Sequence, residues 1–334
     1  MTALLSARLE EALAGVRVEP DGRTAFVGER MMTAPTPRAL TGQLANALYE
    51  VVHVGRSPQD PDRPDRTAGQ DADRRPDGDL EDGLAARTPH PYSHYRAPVL
   101  DAAPEGRGPV VRLSGVRVRV APDRITGGRG AAGRPGNGAE AGVLVAAVRR
   151  SLSPGFFLVD GSRPLTGQDR VLRVYLHVGT PGAVLDAWEA SLRCLEGHGV
   201  PYRAKALSSS AGLPRRDGVV IYLGGEDQYV LPGLLDAVGR HTAPTPGTSP
   251  FTRPLAPGVA VAWEPDDPRP GGRNTSLGEH RSRALAEGLV RHATRAGDGG
   301  GSRSEVVRKA LLEAGIDPME PARNLSSPPF QGGF

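Results

Sequence analysis

Residues 170–179 read RVLRVYLHVG, and from Leu172 to Val178 apolar and polar side chains alternate. Leu172, Val174, Leu176 and Val178 fall on one side of an extended chain and Arg173, Tyr175 and His177 on the other, because successive strand side chains point to opposite faces. The first face is committed to a core. The second carries a guanidinium, a phenol and an imidazole at i, i+2 and i+4, so it is predicted to look at solvent or to line a cleft.

Working outward, a helix is predicted over about 182–196, with Leu185, Trp188, Leu192 and Leu195 at helical spacing and Gly197 after it. PYRAKAL (201–207) reads as a short strand, and DGVVIYLGG (217–225) as another beyond a turn at 212–214. A helix near 227–239 and the strand GVAVAW (258–263) follow. Ser276 and Glu279 form a capping box opening a helix to about 295, and a last helix spans 304–314. Toward the N-terminus the pattern predicts helices at 3–14 and 40–52, a hairpin at 16–28 around Pro-Asp-Gly, and a strand or hairpin at 109–120. Together these predict an α+β fold, a mainly antiparallel sheet with flanking helices and a cleft over the 170–179 strand.

Three stretches read as loops: the mixed-charge, proline-rich 55–88, the glycine-rich 127–141, and a frayed tail from Leu325. The predicted division is a small α+β region over 1–125 with its insert, a linker at 126–141, a main domain over 142–320 and a flexible tail at 321–334.

The 334 residues suffice for one large or two ordinary domains, and 44 glycines with 32 prolines imply much loop. The single cysteine, Cys194, excludes an internal disulfide and a cysteine-based zinc site and is expected to be a buried structural thiol. A net charge of +3 without a basic-aromatic stripe gives no sign of nucleic-acid binding. No run of 18 apolar residues and no signal-peptide core are found, so the expectation is a soluble, cytoplasmic protein without membrane attachment.

Of 41 lysines and arginines two are lysines, Lys205 and Lys309. Lys309 sits off the apolar stripe of its helix and reads as solvated. Lys205 lies in a strand among candidate anion binders. A lysine crowded by cations or desolvated can give up its proton and act as a general base, which arginine cannot. Arg215, Arg216 and Asp217 precede the strand that carries Tyr222, and His280, Arg281 and Arg283 occupy the first turns of a helix. Arginines there oppose the helix dipole unless an anion offsets them, and such a terminus suits phosphate. Asp217 reads as an orienting or salt-bridging carboxylate.

The ordered set SLSPGFFLVDG (151–161), LRVYLHV (172–178), PYRAKAL (201–207), RRDGVVIYL (215–223), SPFTRPLAPGVAVAWEP (249–265) and SLGEHRSRALAEGL (276–289) resembles the HopA-type effector family. Related domains occur in gene clusters for class V lanthipeptides, and the order also echoes the OspF/SpvC phosphothreonine lyases. The resemblance implies a phosphoserine/phosphothreonine lyase that eliminates phosphate from a precursor peptide, leaving dehydroalanine or dehydrobutyrine. It further implies a separate kinase in a hetero-complex, and no cofactor or metal. Carried over by motif, Lys205 is the general base, Arg173, Arg216, Tyr222 and Arg281 are phosphate ligands, and Tyr175 or His177 is the acid. Tyr175 stands where the lyases have histidine, and a phenol with a pKa near ~10 is a weaker acid than imidazolium. The alternatives are a non-catalytic phosphopeptide-binding partner of the kinase, or an effector-like interaction protein.

Overall fold

The computed structural model describes residues 3–57, 75–102, 107–127, 136–167, 170–241, 245–267, 269, 275–295 and 301–331. Its centre is strand β11 (Val171–Val178), flanked antiparallel by β13 (Arg215–Gly224) and β15 (Val259–Trp263). Beyond them lie β12 (Tyr202–Leu207), β10 (Phe156–Asp160) and β9 (Val148–Ser153) on one side and β14 (Arg253–Ala256) on the other. The seven strands follow the order β14-β15-β11-β13-β12-β10-β9, with every pairing antiparallel. The α+β architecture with a mainly antiparallel sheet is as the sequence predicts.

Helices cover both faces. Leu172, Val174, Leu176 and Val178 pack under α4 (Pro181–His198) and α5 (Leu231–His241), with Trp188, Leu192, Leu195 and Leu234 completing a hydrocarbon layer. Thr180 caps α4, Pro181 fills its first turn, and the helix runs through Gly197 to stop at Gly199. Gly199 adopts φ 64°, a left-handed conformation in which glycine meets no Cβ penalty. Cys194 on α4 is half-buried rather than enclosed.

The polar face of β11 does not look at solvent. Helices α1 (Ala7–Leu13), α2 (Pro37–Leu48), α6 (Leu277–Arg295) and α7 (Arg303–Glu313) lay Leu9, Leu40, Leu44, Leu285, Leu289 and Leu311 over it, in contact with Tyr175, Val220 and Ala262. Alternation records which residues share a face, not what a distant segment places on top. Residues 3–54 thus pack on the main sheet, and the small sheet β1 (Val16–Val18), β2 (Thr24–Val27), β3 (Arg30–Thr33) sits among them. Ser276 and Glu279 form the expected reciprocal cap.

A five-stranded sheet, β6-β5-β4-β8-β7, holds β4 (Tyr92–Asp101), β5 (Val110–Leu113), β6 (Val116–Arg119), β7 (Ile125–Thr126) and β8 (Glu140–Ala146). Because β8 pairs with β4 from Tyr92↔Ala146 to Pro98↔Glu140, the division expected at 126–141 cuts through one sheet. The 55–88 stretch is also structured at its end. Residues 58–74 lie outside the described residues, but α3 (Gly78–Ala86) buries Leu80 and Leu84 in the main core and is capped by Asp77. The tail is docked as far as residue 331. Trp263 N–H donates to the Ala322 carbonyl (2.8 Å), Phe330 stacks on Trp263, and Gln331 N–H donates to Gln228 (3.0 Å). No helix among the described residues is long and apolar enough to cross a membrane.

Candidate functional site

Strand register assembles the site. Arg173, Tyr222 and Arg203 stand side by side on β11, β13 and β12, and Tyr175, Val220, Lys205 and Leu158 form the next row. Partners directly opposite in a ladder share a face, so Lys205 lies on the face of Arg173 and Tyr222. The helices leave this end open. A cleft of roughly 390 Å³ is lined by Leu158, Arg203, Lys205, Tyr222 and Glu264, with Leu165, Gly167 and Val171 at its rim.

Lys205 is half-buried, its Nζ 4.2 Å from the centroid of Phe156 and 6.0 Å from that of Tyr222. Neither the amine nor the Tyr222 hydroxyl makes a hydrogen bond or ion pair with a described residue. Lys309, by contrast, is exposed. Arg203 donates through Nε to Asp160 (2.7 Å), a fully buried carboxylate that also receives Tyr95 Oη and Arg149 (2.8 Å each). Burial works against the charge of Arg203, but its Asp160 partner raises its pKa overall. Its side chain is 41% exposed, its Asp160 bond runs through Nε, and the residue lines the cleft. Arg173 is buried and doubly bonded to Glu264, with its guanidinium carbon 5.1 Å from the Tyr222 centroid. Burial opposes that charge, yet the Tyr175 and Tyr222 phenols and Glu264 hold its pKa above the ordinary value.

The other predicted residues lie elsewhere. Tyr175 is buried behind the cleft, edge-on to His53. Burial raises its pKa against the pull of Arg173, and its hydroxyl closes no hydrogen bond of normal geometry. His177 is held at the far end of β11, where Nδ1 approaches the Pro246 and Gly247 carbonyls at 3.0 Å each. Burial lowers its pKa. Arg216 points away from the cleft and donates to the Val52 carbonyl (3.1 Å). It is Arg215 whose guanidinium turns inward, 5.5 Å from the centroid of the same Phe156 that Lys205 approaches.

Arg281 is fully buried and donates to the Pro321 and Arg323 carbonyls, to Asn324 Oδ1 (2.8 Å) and toward His280. Burial pushes its pKa down to about 9. The oxygens that offset it at the start of α6 belong to the docked tail.

Behind Lys205 lies a sealed network. A π-helical turn (Tyr49–Val54) extends α2 and brings His53 to Ser249 (3.1 Å) and within 3.7 Å of Asp217. The order serine, histidine, aspartate has the look of a nucleophile relay, but all three are buried. Ser249 already accepts the Phe251 N–H (3.1 Å), and Asp217 is held by Arg215 at 2.6 Å. Burial pushes His53 down to about 4 and would raise Asp217, but Arg215 and His53 keep that carboxylate well below its usual range. None of these residues lines the cleft, and the buried network offers no substrate access.

Arg203, Glu264, Arg215 and Asp160 are the site residues that motif reading misses. Arg203 was accessible to it, because in PYRAKAL it lies two residues before Lys205 and so on the same face. Glu264 and Asp160 come from strand ends far away in sequence.

Two solved structures are similar in shape. The effector protein from Pseudomonas syringae pv. syringae strain 61 aligns over 86% of this chain and 96% of its own, at 14% identity and TM-score 0.45. The effector from Pseudomonas syringae pv. tomato strain DC3000 aligns over 51% of this chain at 14% identity and TM-score 0.39, and the chain spans 62% of its length. No curated protein sequence matches. The model of the HopA1 effector protein family matches residues 147–323, a span holding the whole seven-stranded sheet and α6. That is more than half of the chain, which therefore belongs to the HopA1 effector protein family.

Proposed function

We propose that the chain is a phosphoserine/phosphothreonine lyase acting on a phosphorylated peptide, as in lanthipeptide biosynthesis. The observation that carries this reading is the pair of unengaged groups in one cleft, the Lys205 amine and the Tyr222 hydroxyl, with Arg203 at the rim and Arg173 alongside. β-Elimination needs a base for the Cα proton, positive charge over the phosphate and an acid for the departing oxygen. Lys205 takes the Cα proton, the C–H electron pair becomes the Cα=Cβ bond, and the Cβ–O bond breaks. Tyr222 delivers the proton to the leaving oxygen, and Arg203 and Arg173 carry the phosphate charge. Tyr222 takes the acid role considered for Tyr175 or His177, since it is the phenol that lines the cleft with Lys205. Arg216 and Arg281 act on the fold, through Val52 and the tail. The peptide reaches the enzyme phosphorylated, which calls for a kinase partner working in the same cytoplasmic compartment.

Lys205→Ala, assayed by mass spectrometry on a phosphorylated serine or threonine peptide, is expected to lower elimination by ~10²–10⁴-fold with the fold intact. Loss of phosphoric acid at the wild-type rate would remove Lys205 as the base. A second reading, a binding partner that holds phosphopeptide without eliminating phosphate, draws on the internal pairing of Arg173 with Glu264. An unchanged peptide mass on saturating wild-type protein would favour it.

A further inference from the structure

A second concavity, of roughly 550 Å³, opens beside the Lys205 cleft and shares Leu165, Gly167 and Arg203 with it. Its walls are the outer face of the five-stranded sheet and the 163–167 segment, and they present Arg96, Arg112, Arg163, Arg203 and His94. No carboxylate among the described residues lines it. Arg96 has Glu140 at 3.1 Å, an exposed pair of little energetic weight, and Arg163 donates to the Gly199 carbonyl (2.8 Å). Arg112 has no acidic partner among the described residues and stands directly across the ladder from Arg117. Like charges in that position repel and destabilise the pair. An anionic occupant relieves that repulsion.

We infer that this groove binds an acidic segment of the peptide substrate, next in the chain to the residue held over Lys205. The inference rests on the reading of the Lys205 cleft as the seat of the phosphorylated residue and adds what the substrate must carry beside it. Strand rise carries an extended peptide from the shared Arg203 into the groove within a few residues. A peptide fits better than a nucleic acid, because the described residues of the wall offer no exposed tyrosine, tryptophan or phenylalanine on which bases could stack.

The test is fluorescence anisotropy of the full chain with a labelled, unphosphorylated, glutamate-rich peptide. Arg112→Glu combined with Arg163→Glu is expected to weaken binding by about ten-fold or more, and raised salt to weaken it in the wild type. Both side chains are exposed, and Arg112→Gln with Arg163→Gln supplies a milder pair with a smaller loss of the same sign. Lys205→Ala should keep full affinity, so failure of the lyase reading and failure of the groove are separate results. Equal binding of a neutral peptide of the same length, or unchanged affinity in the charge-reversed pair, overturns the inference. So does tighter binding of a single-stranded oligonucleotide of equal charge.

Discussion

The two faces of the seven-stranded sheet solve different problems with the same strands. Under α4 and α5 the residues are hydrocarbon, and any side chain of suitable volume keeps the layer closed. On the opposite face Arg173, Tyr175, Arg203, Lys205 and Tyr222 must each be given a partner, a neighbour or access to water. Arg173 has Glu264 and Arg203 has Asp160, while Lys205 and Tyr222 face the cleft. Buried polar groups are costly unless satisfied, so those left unengaged at an open edge are where chemistry can be performed.

The sharpest way to break the contrast is Lys205→Arg, which keeps the charge and removes the capacity to give up a proton. Elimination should fall by ~10²–10⁴-fold while thermal stability holds; near-wild-type turnover would reduce Lys205 to a phosphate ligand. On the other face, Trp188→Ala should cost ~3–5 kcal/mol by denaturant unfolding, because Trp188 is fully buried, edge-on to Phe157, and donates to Thr88. A loss below ~1 kcal/mol would show that this layer does not carry the fold.

Acid should expose the polar face selectively. His53 and His280 are held chiefly by burial at about 4, against 6.5 when unfolded. Between those values the unfolded chain binds more protons, so stability falls as pH drops from 6.5 toward 4, by roughly 3 kcal/mol per histidine at most. Asp217 and Asp267, whose folded values lie below the ordinary 3.8, add their own loss only below that pH. Melting temperature followed from pH 7 to 4 should decline with a shallower slope in His53→Gln, and a flat profile in the parent would contradict the burial of both imidazoles. The smallest effect belongs to the tail. Phe330→Ala removes the stack on Trp263 and should cost ~0.5–1.5 kcal/mol, with faster proteolytic trimming beyond residue 323; unchanged trimming would mean the tail is held by its hydrogen bonds alone.

Much of the architecture was legible because its signals are local. Alternation marked β11 and its apolar face, and helical spacing found α4, α6 and α7. Three of the misreadings share one reason. The polar face of β11 looked open, Arg281 looked like an anion seat, and the tail looked frayed. The segments that cover, satisfy and dock them lie tens to hundreds of residues away. Arg216 was preferred to Arg215 by motif order, but an irregular register between Leu176 and Val178 sends Arg215 inward and Arg216 out.

The sequence alone determined the antiparallel α+β sheet, the assignment of its core face and the singling out of Lys205. Period-two and helical patterns report the backbone and its solvent preference residue by residue. Tertiary structure decided that Lys205 shares its cleft with Tyr222, Arg203 and Glu264, while Tyr175, Arg281 and His177 are sealed or tethered. Register across four strands and closure by the first helices set those neighbours, and neither is encoded in spacing along one strand.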